Sequence, residues 1–503
     1  MISKRNIRMV FFFAALLAAC FLFVMGVLSD YRHCMNVPFI DEEDLSEYTD
    51  DLTIDLENLI FCGQPVAADL ANQTIVLSQA QGDLSHYAHL KGELASVQPE
   101  QKLYFVRNAA VEELENTVHN GYPLRLAVVE GKRYAMVNVV LTTLPVIRLQ
   151  GVETDALSEK EHPIIQGTIT LFAGYDPASG SISAHSYGAQ WNIRGASTAV
   201  RYKKPWKLTL KNAKENNREV DLLGLGEDDD WILNPLVMDD TKLREKLAMD
   251  LWNRNVANRQ DGYPMSTGEY VEVVNNGEYV GLYLLQRRVD EKYLNLNRAE
   301  DILFKGKNTW VAETLIDGYE LIYSPVSEEE AYRALAETLE QRKVSLENYV
   351  DVSVFIQFLN ALDNRGYKNM FYLLRPVGDG YQLSLIPWDT DFSLGLSYQD
   401  GFVYDFEESV QSECYRQEYQ SLVELYPQLP TFCEEYWRGY QESMYHLDAI
   451  AEMVQKYSDQ LLFSGGYKRD IQRWGLVYQG DDTWDALLRW CEERILWLNA
   501  NKY

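Results

Sequence analysis

Residues 385–395 read LIPWDTDFSLG, and this stretch decides how the second half of the chain is interpreted. An apolar run that ends at Ile386 is typical of a buried strand, and a Pro-Trp pair ends it. Two carboxylates, Asp389 and Asp391, follow directly. An Asp-Thr-Asp sequence after a strand, taken alone, favours a turn or a helix N-cap, so these acids need a second observation before they indicate chemistry.

The residues just upstream supply that observation. The runs 369–375 and 381–386 flank the turn sequence Pro-Val-Gly-Asp-Gly and predict a β-hairpin. Antiparallel strands begin and end side by side, so Asn369 is expected at the same sheet edge as Asp389 and Asp391. Carboxylate and amide oxygens are ligands that suit Mg²⁺. The sequence therefore predicts a metal site at this edge.

The order of polar residues resembles that of a protein-kinase site. Asp363, at the end of a helix predicted over 352–362, stands where a loop aspartate would accept the proton of the acceptor hydroxyl. Upstream, a strand predicted over 204–211 carries Lys204 and Lys207, in the place where a phosphate-pairing lysine would fall. Each piece also has a simpler interpretation, since Asp363 can end a helix and Lys207 can lie on a solvated strand face.

Composition and charge limit the classes of function. The chain has 503 residues, of which 47% are hydrophobic and 12% aromatic, and this indicates a folded protein with well-filled cores. Lys and Arg number 46 and Asp and Glu 75, which gives a net charge of −29. A chain of this charge repels nucleic acid, so no nucleic-acid partner is expected. An anionic nucleotide would need local Lys, Arg or metal to reverse the field.

The N-terminus predicts a membrane anchor. Lys4, Arg5 and Arg8 precede an uncharged apolar stretch, residues 9–28, that is long enough to cross a bilayer as a helix. Basic residues before the span place the N-terminus in the cytoplasm and the remainder outside, as a single-pass protein of the cell membrane. A lipoprotein signal ending at Cys20 is the alternative, although the apolar run continues past that cysteine.

The remaining chain divides into predicted regions. After the cytoplasmic tip and anchor (1–29), we predict an acidic spacer (30–50), a small mostly-β membrane-proximal module (51–141) and a larger α+β domain (142–503) whose last part is helical. The module includes a hairpin over 126–137 and a helix over 111–119, and the domain includes a hairpin over 269–285 that turns at Asn276-Gly277. Five cysteines follow the anchor without any CxxC, so disulfide pairing stays open: Cys34, Cys62, Cys414, Cys433 and Cys491.

Five blocks in order carry a family resemblance: IRGASTAVRYKKPWKLTL, LLGLGEDDDWILNPLVMDDTKLREKLAMDL, YVEVVNNGEYVGLYLLQRRVD, NRGYKNMFYLL and PWDTDFSLG. Together they resemble the spore coat protein H (CotH) kinase family over roughly 142–500. The resemblance implies a divergent protein-kinase-like fold and ATP- and Mg²⁺-dependent phosphorylation, with Mn²⁺ as a substitute metal. It also implies a secreted or cell-envelope protein as the substrate, serine as the acceptor and a Gram-positive-type bacterial envelope.

The same resemblance implies residue roles. Asp363 resembles the catalytic aspartate, Asn369 a metal ligand, and Asp389 or Asp391 the second metal-binding acid. The nucleotide-binding candidates come from the two basic blocks: Arg194, Lys204 and Lys207.

Two positions depart from the family pattern. The residue five before Asn369 is Asn364, with Asp363 one place further back, and Arg287 stands where an acid usually closes the hairpin. Two alternatives therefore stay open. One is a catalytically inactive CotH-like pseudokinase that serves as a scaffold for surface-protein or spore-coat assembly. The other does not rest on these departures: it is a protein that binds cell-wall polymers, with some of its 33 tyrosines and 11 tryptophans as surfaces that stack on sugars.

Overall fold

The computed structural model describes residues 33–80, 84, 87–107, 114–158, 160–176, 181–195, 198–259, 262–296, 300–307, 314–361, 364, 368–397, 401–402, 406, 413–441, 445–478 and 481–502. Helices and strands are mixed throughout these ranges. No helix in the described ranges is both long and apolar enough to cross a membrane. The predicted anchor, residues 1–29, lies outside them.

The first part of the chain is built around a seven-stranded sheet of order β1-β2-β8-β9-β10-β6-β5, with β3, β4 and β7 in a second small sheet. The strands are β1 His33–Cys34, β2 Val37–Asp41, β3 Leu59–Phe61, β4 Gln64–Pro65, β5 Ala67–Asp69, β6 Thr74–Ser78, β7 Leu94–Ser96, β8 Gln101–Arg107, β9 Leu124–Glu130 and β10 Arg133–Thr142. The helices are α1 Glu42–Leu45 and α2 Leu114–His119. The predicted hairpin over 126–137 is confirmed, since Arg133 pairs with Glu130 around the turn.

The structure corrects part of the predicted acidic spacer (30–50). Residues 33–45 of the segment predicted as a spacer form β1, β2 and α1, and β2 pairs in parallel with β8 through Phe39 and Phe105. The acids at 41–44 favoured a solvated spacer, but the apolar side chains of the preceding run, Val37-Pro-Phe-Ile, join the sheet. Burial of this short run decided the structure there, rather than the charge that follows it.

The next part closes into a seven-stranded barrel in the order β11-β12-β13-β14-β17-β19-β18. Its elements are β11 Val146–Leu157, β12 Pro163–Asp176, β13 Ser181–Ile193, β14 Trp206–Lys211, β15 Val220–Asp221, β16 Glu227–Asp228, β17 Asp230–Asn234, α3 Arg244–Val256, β18 Gly268–Asn275 and β19 Glu278–Arg287. The predicted turn at Asn276-Gly277 is confirmed, and both residues have positive φ (49° and 76°), as this hairpin type requires. Trp191, Trp231 and Tyr283 fill the barrel.

The last part combines a four-stranded sheet with helices. Its elements are β20 Ile302–Gly306, α4 Leu315–Gly318, β21 Tyr319–Tyr323, α5 Glu328–Glu340, α6 Leu346–Leu359, β22 Met370–Val377, β23 Gly380–Pro387, β24 Leu396–Ser397, β25 Gly401–Phe402, α7 Glu413–Leu425, α8 Leu429–Gln441, α9 Leu447–Phe463, α10 Gly466–Trp474 and α11 Trp484–Asn501. The sheet order is β21-β20-β22-β23. Helix α6 is buried almost all round, since the sheet and the terminal helices enclose it.

The parts pack against one another. The core of the first sheet includes Phe172 and Val274 of the barrel, and the backbone N–H of Leu70 donates to the carbonyl of Gly277 (2.8 Å). Helix α2 approaches the turn between α9 and α10, where Lys468 Nζ donates to Asn120 Oδ1 (2.8 Å). Four cysteines whose side chains the structure describes are free thiols: Cys34, Cys62, Cys433 and Cys491.

The close approach at the α9–α10 turn gives the first prediction. Gly465 has φ +68°, and a Cβ there would lie 2.1 Å from the carbonyl oxygen of Val118 in α2. Gly465→Ala should lower the free energy of unfolding by about 2–4 kcal/mol, because it combines a left-handed backbone with a collision against rigid backbone.

Gly131→Ala is the matched control for this measurement by urea denaturation. Gly131 has a similar φ of +64° but lies in an open turn with nothing within 4 Å of an added Cβ. The control should cost only about 1 kcal/mol. Equal losses in the two variants would show that α2 does not pack against the turn as described.

Candidate functional site

The β22–β23 hairpin brings Asn369 and the Asp389 segment to one sheet edge. Met370 pairs with Pro387, and one residue further out the N–H of Trp388 donates to the carbonyl of Asn369 (3.0 Å). Asn369 and Asp389 both have φ 56°, in the left-handed region that non-glycine residues seldom occupy. Asn and Asp tolerate this backbone conformation better than other non-glycine residues do, so the chain can turn sharply at both positions of this edge.

Asp389 and Asp391 have different surroundings. The Asp389 side chain is exposed and makes no hydrogen bond or ion pair within the described residues, and its charge acts on Arg194 and Lys305. Asp391 is partly buried, and its Oδ1 accepts the N–H of Phe392 (2.9 Å). Asp389 is therefore close enough to Arg194 and Lys305 for its charge to stabilise both cations.

Asn364 holds the hairpin closed at this edge. It is 1% exposed, and its Nδ2 donates to the carbonyls of Asn369 (2.9 Å) and Trp388 (2.8 Å). A buried amide that ties two strand ends together is a structural group, and an aspartate at 364 would lack these two N–H donors. Asp363, the predicted catalytic aspartate, lies outside the described residues.

A cleft of about 400 Å³ opens between the barrel and the four-stranded sheet, next to this edge. Its apolar wall includes Trp231, Val289, Ile322, Phe371 and Trp388. Five basic side chains and two acidic ones also line the cleft: Lys160, Arg194, Lys207, Arg288 and Lys305, with Asp230 and Glu320. The cleft is thus locally basic in a chain whose net charge is −29.

Two of the three predicted nucleotide-binding residues lie in the cleft, and the third does not. Arg194 and Lys207 line the cleft. Lys207 Nζ lies 3.0 Å from Asp230 Oδ2, which also accepts from Arg288 (3.1 Å). Lys204 instead donates to the carbonyl of Ala199 (2.9 Å), away from the described lining of the cleft.

The acid that holds Lys207 is itself firmly ionised. Burial opposes the charge of Asp230, but Lys207, the hydroxyl of Thr209 (2.6 Å) and Arg288 outweigh it, so the pKa of this carboxyl is lowered. Arg287, which departs from the family pattern, pairs with the buried Asp228 (3.0 Å). The Arg288–Asp230 pair thus joins the residue after β19 to β17, and the Arg287–Asp228 pair joins the end of β19 to β16.

Sequence reasoning missed Lys305. It lies on β20, with Nζ 5.3 Å from the centre of the Trp388 ring and 5.7 Å from that of Phe371. Burial lowers the pKa of Lys305 to about 8. A signal for it existed, because the lysine interrupts the apolar run Ile302–Gly306, where a buried strand would seldom carry a charge without a purpose.

Sequence reasoning also missed two residues in the first turn of α3 that hold the 389–394 loop. Glu245 Oε2 accepts the N–H (2.8 Å) and the hydroxyl (3.1 Å) of Thr390. Arg244 donates to the carbonyls of Ser393 (3.0 Å) and Leu394 (3.3 Å). These two side chains fix the loop that carries Asp389 against the helix.

Arg244 is held in turn by two buried acids. Its guanidinium lies 2.6 Å from Asp239 and 2.7 Å from Asp482, and all three side chains are at most 1% exposed. An Asp-Asp-Thr sequence such as 239–241 is typical of a helix N-cap and by itself favours a helix that begins at 242. Helix α3 begins at Arg244 instead, and Asp239 Oδ2 accepts the Arg244 N–H (2.9 Å).

The residues at the Asn369–Asp389 sheet edge suit a divalent cation only together with a bound ligand that supplies further oxygen atoms. No group of three or more His, Cys, Asp or Glu side chains in the described ranges could hold a metal ion alone. Mg²⁺ is commonly bound by one or two protein oxygens together with phosphate oxygens and water. Asp389 and Asn369, two oxygen-bearing side chains beside a basic cleft, fit that mode of binding.

The fold and cleft thus define a mixed helix-and-strand protein with a basic site beside an oxygen-rich edge. The family described as CotH kinase protein matches residues 192–498, more than half of the chain. The protein therefore belongs to the CotH kinase family, as the five sequence blocks predicted, and membership indicates a kinase-like function that uses a nucleotide and a metal. A search of curated proteins gives no match.

Arg244 gives a prediction about stability. Arg244→Met would leave Asp239 and Asp482 buried without their cation, so the free energy of unfolding should fall by about 3–5 kcal/mol. Arg438→Met is the control, since Arg438 pairs with Glu434 on the surface of α8 and its side chain is 66% exposed. The control should change stability by about 0.5 kcal/mol or less in urea denaturation. Similar small losses in both variants would contradict a central role for Arg244.

Glu245 gives a prediction about pH. Burial raises the pKa of its carboxyl from 4.5 to about 7, and the charge of Asp389 acts in the same direction. The folded protein then keeps a proton that the unfolded chain loses, so the contribution of Glu245 to stability is full below pH 4.5 and is lost as pH rises through 7.

Glu245→Gln does not titrate and keeps an acceptor for Thr390. Relative to wild type, its free energy of unfolding should rise between about pH 5 and about pH 8 by on the order of 1–3 kcal/mol. Urea denaturation at both pH values measures this change, with the exposed Glu329→Gln as control. A pH-independent difference between Glu245→Gln and wild type would contradict the burial of an ionisable Glu245.

Proposed function

We propose that the protein is an ATP- and Mg²⁺-dependent protein kinase that phosphorylates serine residues of secreted or cell-envelope proteins. The observation that carries this proposal is the basic cleft beside Asn369 and Asp389 in a strongly acidic chain. A surface charge of this sign would repel a nucleotide, so a local reversal at one cleft favours a phosphorylated ligand there. A volume of about 400 Å³ also lies in the range of small-molecule sites.

Different residues of the chain would bind the base, the phosphates and the metal. The apolar wall of Trp231, Val289 and Ile322 suits the nucleotide base, and the basic side chains of the cleft suit its phosphates. Asn369 and Asp389 would hold Mg²⁺, with Mn²⁺ as a substitute. When bound, the metal would neutralise charge on the phosphate oxygens.

The proposed reaction is a direct phosphoryl transfer. The serine oxygen forms a bond to the γ-phosphorus, the bond from that phosphorus to the β–γ bridging oxygen breaks, and ADP leaves. Asp363 is proposed to accept the proton of the serine hydroxyl. Asn364 cannot take this part as placed, because its amide is buried and donates to two carbonyls of the hairpin.

The same observation at Asn364 favours a second candidate function. If Asp363 does not reach the acceptor hydroxyl, the protein binds nucleotide without transfer and acts as a pseudokinase scaffold for surface or spore-coat proteins. In both cases we propose that residues 1–29 anchor the chain in the cell membrane with the remainder outside. Attachment of lipid to Cys20 is the alternative form of anchoring.

The test is a transfer and binding assay on the full-length chain. We expect label from γ-labelled ATP to reach serine in envelope proteins with Mg²⁺ present, and to be lost, by at least about a hundredfold, in Asp363→Asn and in Asp389→Asn. Asp379→Asn is the matched control, because Asp379 is exposed in the turn at the opposite end of the same hairpin.

Three outcomes separate the candidates. Transfer that is lost in both variants and kept in the control supports the kinase. Metal-dependent ATP binding without transfer supports the pseudokinase. Absence of metal-dependent ATP binding by the wild-type chain would overturn both.

A further inference from the structure

Two cations in the cleft differ from the other three. Lys207 and Arg288 share Asp230, and Lys160 Nζ donates to the carbonyl of Gly195 (3.2 Å). Arg194 and Lys305 have no ion pair and no side-chain hydrogen bond within the described part of the chain. The cleft therefore holds two charges whose partner is not supplied by the described residues.

Keeping these two charges unpaired is unfavourable in the absence of a ligand. Burial and the like charge of Arg194 lower the pKa of Lys305 to about 8, although Asp389 and Glu320 oppose this shift. Burial also lowers the pKa of Arg194, against the opposing charge of Asp389. The aromatic faces of Phe371 and Trp388 offset only part of the cost for Lys305. An anion between the two cations would remove this cost.

The two cations lie on opposite walls. Arg194 follows β13 of the barrel, and Lys305 lies on β20 of the four-stranded sheet. Both line the same cleft, and the charge of Asp389 acts on both. A polyphosphate that contacts both cations would therefore also lie beside the proposed metal-binding edge.

We propose that Arg194 and Lys305 together form the polyphosphate-binding pair of the cleft, and that Lys207 acts indirectly by holding Asp230. This assignment rests on the proposed nucleotide-binding function and specifies it further. It replaces the expected lysine on the barrel strand with a lysine from the opposite sheet. An aromatic pair, Phe371 and Trp388, lies beside the ammonium group of that lysine.

The test measures binding of ATP, inorganic tripolyphosphate and adenosine to the full-length chain by calorimetry, with and without Mg²⁺. Lys305→Met and Arg194→Met should each weaken ATP and tripolyphosphate about tenfold to a hundredfold, as expected for loss of a charge-assisted contact. Adenosine should bind with unchanged affinity, because it carries no phosphate.

Two other lysines serve for comparison. Lys307 is the matched control, because it is exposed and directly follows β20, two residues after Lys305. Lys307→Met should leave all three affinities unchanged. Lys207→Met should weaken polyphosphate binding about threefold or less, since its charge is already balanced by Asp230. Thermal denaturation of every variant confirms that it is folded.

Lys305→Arg separates charge from packing. It should restore polyphosphate binding to within about threefold of wild type, because the guanidinium keeps the charge. Wild-type affinity for tripolyphosphate should fall as pH rises from about 7 to about 9, since Lys305 must be protonated to bind the anion. This decline should be absent in Lys305→Arg. A purely structural role for Lys305 would not move the pH profile.

The outcomes distinguish this inference from the proposed function. If Lys305→Met and Arg194→Met bind ATP and tripolyphosphate like wild type while Lys207→Met loses them, the assignment is overturned and nucleotide binding stands. If the wild-type chain binds neither ligand, the assignment and the proposed function are both overturned. A loss confined to polyphosphates in the two variants supports the assignment.

Discussion

The buried guanidinium of Arg244 is the interaction on which the rest of the structure depends. It pairs with Asp239 on the segment before α3 and with Asp482 on the segment before α11, and it donates to two carbonyls of the 389–394 loop. One side chain thus joins the segment between barrel strands β17 and β18, the C-terminal helix and the site loop. Arg244, Asp239 and Asp482 are shielded from water, so their opposite charges must offset the free-energy cost of burying each ion.

Charge is distributed unevenly for a physical reason. The chain as a whole has 75 acidic and 46 basic residues, whereas the cleft between the barrel and the four-stranded sheet is lined by five basic side chains and two acidic ones. Low-dielectric walls such as Trp231 and Trp388 strengthen the field of those cations. The cleft can therefore attract an anion that the remaining surface repels.

The sequence predicted those parts of the fold that depend on neighbours in the chain. Both hairpins of the larger domain followed from local turn signals, Asn276-Gly277 and the Pro-Val-Gly-Asp-Gly stretch, because turn chemistry acts over a few residues. The edge shared by Asn369 and Asp389 followed from the second hairpin. Family membership followed from the order of five blocks.

Residues whose roles depend on distant partners could not be predicted in the same way. Arg244 and Asp482 are 238 positions apart, and no local pattern indicates that they meet. Glu245 looked like one more polar residue of an amphipathic helix, although it is buried against Thr390. Lys305 gave a local signal as a charge in an apolar run, but its place opposite Arg194 required the barrel and the sheet to be assembled first.

The packing of the first sheet against the barrel and the α9–α10 turn affects which substrates the cleft can contact. Because shared core residues and the Lys468–Asn120 contact join these parts, the first sheet is a rigid mount rather than a flexible stalk. On the proposed anchoring, the cleft would stay within a limited distance of the bilayer, since only residues 30–32 separate the anchor from β1. Substrates would then be selected by where they sit in the envelope as much as by their sequence.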